Sequence, residues 1–342
     1  MKPFGITSYG FYLPKYRITV EEIARNHGKA KEEIEGSLLV TEKTIAGADE
    51  DTATMAVSAG TMALRGVDRE KIDMVLVGSE THPYAVKPTS TIVGEWLSID
   101  DHHYLAYDTQ FACKAATGAM LSAFSAVKAG DVRNALICGA DKATGKPGDA
   151  LEYTAASGAT AFVIGTDEPI AEAVVYGSYS SDTPDFWRRH GIAHPSHGGR
   201  FTGKPSYFRH IYQAGTTLME KVNMKPEDFT FGVFHMPNGR FPLEVSKALG
   251  FTQEQIQHSL VVKYLGNSYA SSALMGLVAT LEQAKAGDTI LFVSYGSGAG
   301  SDAIVFKVTD AINKKRQAFM EQASRKAYVS YPKYLKMLGV LK

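Results

Sequence analysis

Apolar residues follow two rhythms along this chain of 342 residues. Short runs rich in β-branched side chains, the composition of buried strands, are IDMVLV (72–77), HYLAYD (103–108), NALICG (134–139), ATAFVIG (159–165), FTFGVF (229–234), HSLVVKY (258–264), TILFVSY (289–295) and AIVFKV (303–308). Between them lie longer stretches with apolar residues near helical spacing. Thr19 to Glu22 has a capping-box pattern ahead of EEIARNHG, in which side chains satisfy the free N–H groups of a first turn. DTATMAVSAGTMALRGV (51–67) opens on Asp and Thr, and the stretch after Cys113 reads as a helix ending near Gly130. Strands alternating with helices predict a layered α/β fold.

A repeat divides the chain. KAGD at 128–131 returns at 285–288, and each copy follows a helix of small residues and precedes a strand. Matching element order around a repeated tetrapeptide points to duplication. Two similar halves are expected, 1–168 and 169–342, with the join somewhere in 166–205. The middle stretch SYSSDTPDFWRRHGIAHPSHGGRFTGKPS is rich in Gly, Pro, Ser and His. It is long for a plain connection, and such loops are usually functional or mobile.

Composition narrows the classes. The chain is 44% hydrophobic and 21% charged, with 36 basic and 36 acidic residues, which is ordinary globular usage. Nothing shows the clustered basic excess that nucleic-acid binding needs. Mean hydropathy is slightly negative, no apolar run reaches membrane-span length, and MKPFGITSYG lacks the apolar core of a signal peptide. A cytoplasmic protein away from membranes is the expectation. Two cysteines, Cys113 and Cys138, are too few for a disulfide framework or a thiolate zinc site. His190, His194 and His197 lack a completing carboxylate or thiol set, so no metal is expected.

Candidate chemistry centres on Cys113, which sits between a strand and a helix. Unpaired N–H groups and the dipole at a helix start favour a thiolate, so a lowered pKa is expected there. Glu80 ends the strand VLVGSE, and His235 ends the strand GVFHMPNG. At the spacing of the KAGD repeat, His235 falls on Gly78, two residues before Glu80. Ligand sites in α/β sheets gather at such strand ends. Asn267 opens the helix after HSLVVKYLG, where capping is its common job. Each residue has an ordinary alternative: a buried structural thiol, which suits Cys138, a solvated carboxylate, or a core histidine. A nucleophile, a base and an imidazole at equivalent ends form a candidate site together. GSGAGSD (296–302) follows a strand but leads into another strand. A dinucleotide fingerprint requires a helix there, so a glycine-rich hairpin with Ser297 near the site is expected.

GSETHPYAVKPT, FACKAATGAM, PSHGGRFTGKPSYF, HMPNGRFP, GNSY and SYGSGAGSDA, with SYGFYLPKYRITVEEIAR and DEDTAT near the start, resemble archaeal hydroxymethylglutaryl-CoA synthases from about residue 5 to residue 308. The resemblance implies a duplicated five-layer αβαβα thiolase fold. It implies that Cys113 carries an acetyl group, Glu80 is the base, His235 meets the second substrate and Asn267 supports that histidine. Thr154, Thr202 and Ser297 match pocket-lining positions. Arg240 falls where the family places a Lys against the CoA phosphates, and Glu244 where an Arg is expected. The implied reaction joins acetyl-CoA, acetoacetyl-CoA and water into 3-hydroxy-3-methylglutaryl-CoA and CoA, early in the mevalonate pathway of isoprenoid biosynthesis. No cofactor is implied, because the CoA thioesters are substrates. A homodimer is implied, and in archaea a complex with acetoacetyl-CoA thiolase and an OB-fold scaffold protein.

Two alternatives stay open. A ketoacyl synthase III-like enzyme obtains its carbanion by losing CO₂ and needs no Glu80. A silent thiolase-fold scaffold subunit needs no chemistry, and the reversed charge at Glu244 favours it slightly. A degradative thiolase uses a second cysteine in its C-terminal half, where this chain has none. The tail KAYVSYPKYLKMLGVLK (326–342) is either packed or frayed.

Overall fold

The computed structural model describes residues 2–99 and 102–341. Strand alternation organises its core. In NALICGADK, Ala135 and Ile137 face one apolar layer, while Leu136, Cys138 and Ala140 face another. Burial of both faces is what a fully covered strand requires. Cys138 is therefore structural, and burial pushes its thiol up to about 12.

Nine strands among the described residues form the main sheet: β1 (Gly5–Tyr12), β2 (Ile72–Gly78), β3 (Leu105–Thr109), β4 (Asn134–Lys142), β5 (Ser157–Gly165), β6 (Ala171–Ser180), β7 (Phe231–Phe234), β8 (Thr289–Val293) and β9 (Gly300–Val308). Their order is β7-β8-β9-β6-β1-β5-β4-β2-β3. In the first set, β2 runs parallel to β3 and β4, while β4–β5 and β5–β1 are antiparallel. In the second, β7–β8 is parallel, and β8–β9 and β9–β6 are antiparallel. The second set repeats the first without a counterpart to β3. The sets meet where Gly5 pairs with Glu172 and Ile6 with Ala171.

Five helices complete the layers: α1 (Thr52–Ala63), α2 (Ala115–Ala129), α3 (Arg209–Val222), α4 (Arg240–Leu249) and α5 (Ser272–Gln283). Helix α1 opens on the Asp51 capping box and covers β1, β4 and β5 from outside. Helix α2 lies on β2 and β4 but also reaches β6, while α5 lies on β7 and also reaches β1 and β5. These two helices form the central layer between strands of both sets. Helix α3 covers β6 and β9, with α4 beside it. Three apolar clusters fill the gaps between layers.

Two segments differ from the sequence expectation. HSLVVKY is not a strand but a pair of helical turns, Gln257–Ser259 and Val262–Leu265. Ser259 Oγ donates to the Gly232 and Ile256 carbonyls at 3.2 and 2.8 Å, and Val261 and Val262 enter the core. A short apolar run has no period that separates a buried helical turn from a strand. Likewise residues 171–180, within the expected join, are not a connection but strand β6, paired to β9 along its length with a register shift at Val174.

Candidate active site

Glycine lets the site assemble. Strand β2 ends at Gly78, where a Cβ would lie 2.2 Å from the backbone nitrogen of Ala116, so the strand end runs against the start of α2. This brings Glu80 to the nucleophile candidate, and the Cys113 Sγ donates to Glu80 Oε1 at 3.3 Å. Ala112 adopts φ +47° just before Cys113, a left-handed conformation that costs energy for a residue with a Cβ. Asp141, fully buried at the end of β4, fixes the other side of Glu80. Its Oδ1 accepts from Ser79 Oγ (2.7 Å), the Glu80 N–H (2.8 Å) and Thr81 Oγ1 (2.7 Å), and its Oδ2 accepts from the Ala270 N–H (2.8 Å).

The electrostatics correct one expectation. The helix start does not win at Cys113: burial, then the neighbouring Glu80 charge, push the thiol well above its ordinary value. Glu80 is itself raised to about 8, by burial first and then by Asp141. Both members prefer a proton, so the pair rests neutral at physiological pH, and the carboxylate that can accept the thiol proton forms as pH approaches about 8.

His235 stands one residue past β7 and is 1% exposed. Its N–H donates to the Val293 carbonyl at 3.0 Å, and its carbonyl accepts from Tyr207 OH at 2.6 Å. Nδ1 has no hydrogen-bond partner, and burial lowers the imidazole to about 3, so the ring is neutral at physiological pH. Asn267 is not a helix N-cap, since Ser268 and Ser271 hold those positions; its Oδ1 instead accepts from the Tyr269 N–H, two residues on, at 3.0 Å. Its backbone N–H donates to the Thr154 carbonyl at 2.7 Å, and its own carbonyl accepts from the Ala156 N–H at 2.9 Å.

The GSGAGSD stretch forms the β8–β9 hairpin. A Cβ at Gly296 would lie 2.5 Å from the Phe111 carbonyl, so this turn too approaches the Cys113 loop as only glycine can. Asp185 ties the long middle loop to the hairpin: Oδ2 accepts from Tyr295 OH at 2.6 Å and Oδ1 from the Gly298 N–H at 2.7 Å.

A cavity of about 200 Å³ collects Cys113, Thr154, Thr202, His235, Asn267 and Ser297 in one lining, with Phe186, Tyr207 and Tyr295. Glu80 lies beyond the thiol in a neighbouring hollow with Gln110, Ala112, Trp187 and Arg188, and Phe186 and Ser297 border both spaces. Arg240 does not line the cavity. It is exposed at the start of α4, and its guanidinium donates to the carbonyls of Gly36 (2.7 Å) and Ser37 (3.1 Å). Its neighbours Asn238 and Phe241 do reach the lining. Glu244 is exposed on the same helix.

Sequence reasoning missed Asp141, Asp185 and a buried ion pair beside the nucleophile, Lys114 Nζ to Asp302 Oδ1 at 2.7 Å. Asp141 had a signal, since ALICGAD ends beside β2 as VLVGSE does. Asp302 and Lys114 had none, because their partnership crosses the two halves.

Known proteins carry the same pattern. A family model for the C-terminal part of 3-oxoacyl-[acyl-carrier-protein] synthase III matches residues 219–308. The hydroxymethylglutaryl-CoA synthase of Archaeoglobus fulgidus is 54% identical over 97% of both chains. The chain belongs to the hydroxymethylglutaryl-CoA synthase family. The family's Methanocaldococcus jannaschii member is 50% identical over 99% of both chains. A crystal structure of an HMG-CoA synthase complexed with CoA superposes with a TM-score of 0.89 at 24% identity, covering 98% of this chain and 90% of that one. The 3-oxoacyl-(acyl carrier protein) synthase III of Pseudomonas aeruginosa PAO1 gives 0.81 at 19% identity, covering 90% and 98%. The fold is thiolase-like, as the resemblance implied. No helix among the described residues is long and apolar enough to cross a membrane.

Proposed function

We propose that this member of the family condenses acetyl-CoA with acetoacetyl-CoA and water, giving 3-hydroxy-3-methylglutaryl-CoA and CoA. The carrying observation is the Cys113 thiol in contact with the Glu80 carboxylate, on a cavity shared with His235. As Cys113 sulfur attacks the acetyl carbonyl, Glu80 takes the thiol proton, and CoA leaves with a proton. Glu80, again a carboxylate, then removes a proton from the acetyl methyl while N–H groups at the start of α2 hold the enolate oxygen. A positioned base contributes roughly 10² to 10⁴-fold and one oxyanion donor about 3 kcal/mol. The enolate carbon attacks the acetoacetyl ketone. A neutral His235 N–H polarises that oxygen, and the alkoxide formed takes up a proton relayed by the ring. Water then attacks the Cys113 thioester, the C–S bond breaks, and the sulfur regains its proton.

Asn267, Thr154, Thr202 and Ser297 shape the acyl pocket in this scheme, while Arg240, exposed at the start of α4 beside the lining residues Asn238 and Phe241, meets the CoA portion outside it. The halves 1–168 and 169–342 supply thiol and carboxylate, and imidazole and amide, respectively. No cofactor takes part. We place the reaction in the cytoplasm, early in the mevalonate pathway, with the chain as a homodimer that can join acetoacetyl-CoA thiolase and an OB-fold scaffold. Support for association is the edge strand β3, which leaves Leu105 54% and Tyr107 36% exposed.

Intact mass after incubation with acetyl-CoA tests the scheme. One acetyl group on the wild type and none on Cys113→Ala is the expected result. Glu80→Ala should take the acetyl group slowly, because the thiol has lost its proton acceptor, and should fail to condense altogether. No adduct on either protein would favour a silent scaffold subunit.

A further inference from the structure

Behind the cavity wall lies a polar assembly that no step of this scheme uses. Lys43, on the short strand Glu42–Ile45, is 2% exposed. Among the described residues it has no carboxylate partner. Its Nζ donates instead to the Glu152 carbonyl, to the Ala155 carbonyl at 2.8 Å and to Tyr334 OH at 3.1 Å. Burial lowers this ammonium to about 7. The Glu152 charge favours the ammonium without a salt bridge between them, and a buried cation of this kind persists only where its donors are satisfied.

Those two carbonyls bracket Thr154, a lining residue whose own carbonyl receives the Asn267 N–H. Ala155 belongs to the small buried apolar cluster that holds Cys113, with Ala143 and Tyr269. The next residue, Thr44, extends the staple, since its Oγ1 donates to the carbonyls of Ser157 and of Leu265 (3.1 Å). Residues 42–45 thus clamp 152–157 to 265–267, the two backbone segments that present Thr154 and Asn267.

The clamp is closed from behind by the C-terminal helix Tyr331–Met337. Tyr334 is 1% exposed. Tyr331 OH donates to Glu152 Oε1 at 2.9 Å, and the Tyr331 N–H donates to Glu22 Oε1 at 2.9 Å. Glu152 Oε2 meets His27 Nε2 at 2.8 Å and the Gly148 N–H at 2.7 Å. The tail is packed, and packed against the backbone of the site.

We propose that Lys43 and Tyr334 are positioning residues, through which the C-terminal helix holds Thr154 and Asn267 in the cavity wall. The inference deepens the proposed function, and its test separates the two. Tyr334→Phe removes one acceptor and keeps the ring, while Lys43→Met removes all three donors at similar length. Amide hydrogen exchange is expected to speed up in both variants at 154–157 and 265–268, with β2 and β8 unchanged. Condensation kcat should fall about tenfold for Tyr334→Phe and roughly 10²-fold for Lys43→Met. Acetyl transfer to Cys113 should stay within about threefold, because the thiol and Glu80 keep their own supports. A uniform loss of stability would move every amide and both steps together. Unchanged exchange at both segments in Tyr334→Phe overturns the inference, even if Lys43→Met fails to fold. The exchange result stands whether or not the wild type takes an acetyl group, which is the separate test of the proposed function.

Discussion

The sulfur of Cys113 lies 3.3 Å from Glu80 Oε1 and gives it a hydrogen bond, so nucleophile and base meet through a single proton. Neither group rests as an anion: both are raised, and the thiol can lose its proton only to a Glu80 that has already lost its own.

That pairing sets a pH dependence. The carboxylate form of Glu80 is required for carbon deprotonation, so condensation should rise with pH around a midpoint of about 8. Stability has the opposite sign. A carboxyl group whose folded pKa lies above its unfolded value stabilises at low pH, and the contribution is lost as pH rises through the folded value. Urea unfolding at about pH 5 and about pH 9 should show a larger loss for wild type than for Glu80→Gln. Equal losses would mean that Glu80 titrates normally.

Asp141→Asn should loosen Glu80 without touching Cys113. The new amide turns an N–H group toward either the Ala270 N–H or the three donors now on Oδ1. At least one buried donor is left without an acceptor, at about 1–3 kcal/mol each. Urea midpoints should fall accordingly, and condensation should fall more than acetyl transfer.

Lys114 and Asp302 make a stability prediction. Their side chains are 5% and 0% exposed. Lys114→Met leaves the carboxylate with only its Thr117 and Ser178 donors. Breaking one side of a buried pair costs about 3–5 kcal/mol, visible as a lower thermal midpoint.

At Gly78 even one methyl group is too much. Gly78→Ala puts a carbon 2.2 Å from backbone nitrogen, which cannot swing aside as a side-chain tip can. Overpacking of this kind costs about 1–3 kcal/mol. The relief should separate Glu80 from the thiol, so condensation measured on folded protein should fall as well.

Much of the frame was legible before any coordinates. Short apolar runs rich in β-branched residues marked most of the strands, KAGD marked the repeated element order, and strand ends located Glu80 and His235. The errors share a cause. HSLVVKY is apolar enough for a strand, yet its backbone groups are satisfied by local turns and by Ser259. For Arg240 the motif gives a position beside the lining residues Asn238 and Phe241, but not that its guanidinium turns to the Gly36 and Ser37 carbonyls, which lie far away in the chain.

Sequence alone determined the layered fold, the duplication and the residue types gathered at the strand ends, because periodicity and element order are carried by neighbours along the chain. Tertiary structure alone decided the proton on Cys113, the neutral state of His235 and the anchoring of the tail through Lys43 and Tyr334. Desolvation and hydrogen-bond partnership depend on groups that meet only when distant segments pack. A helix start can favour a thiolate, but it cannot announce that a carboxylate from another strand will stand beside it.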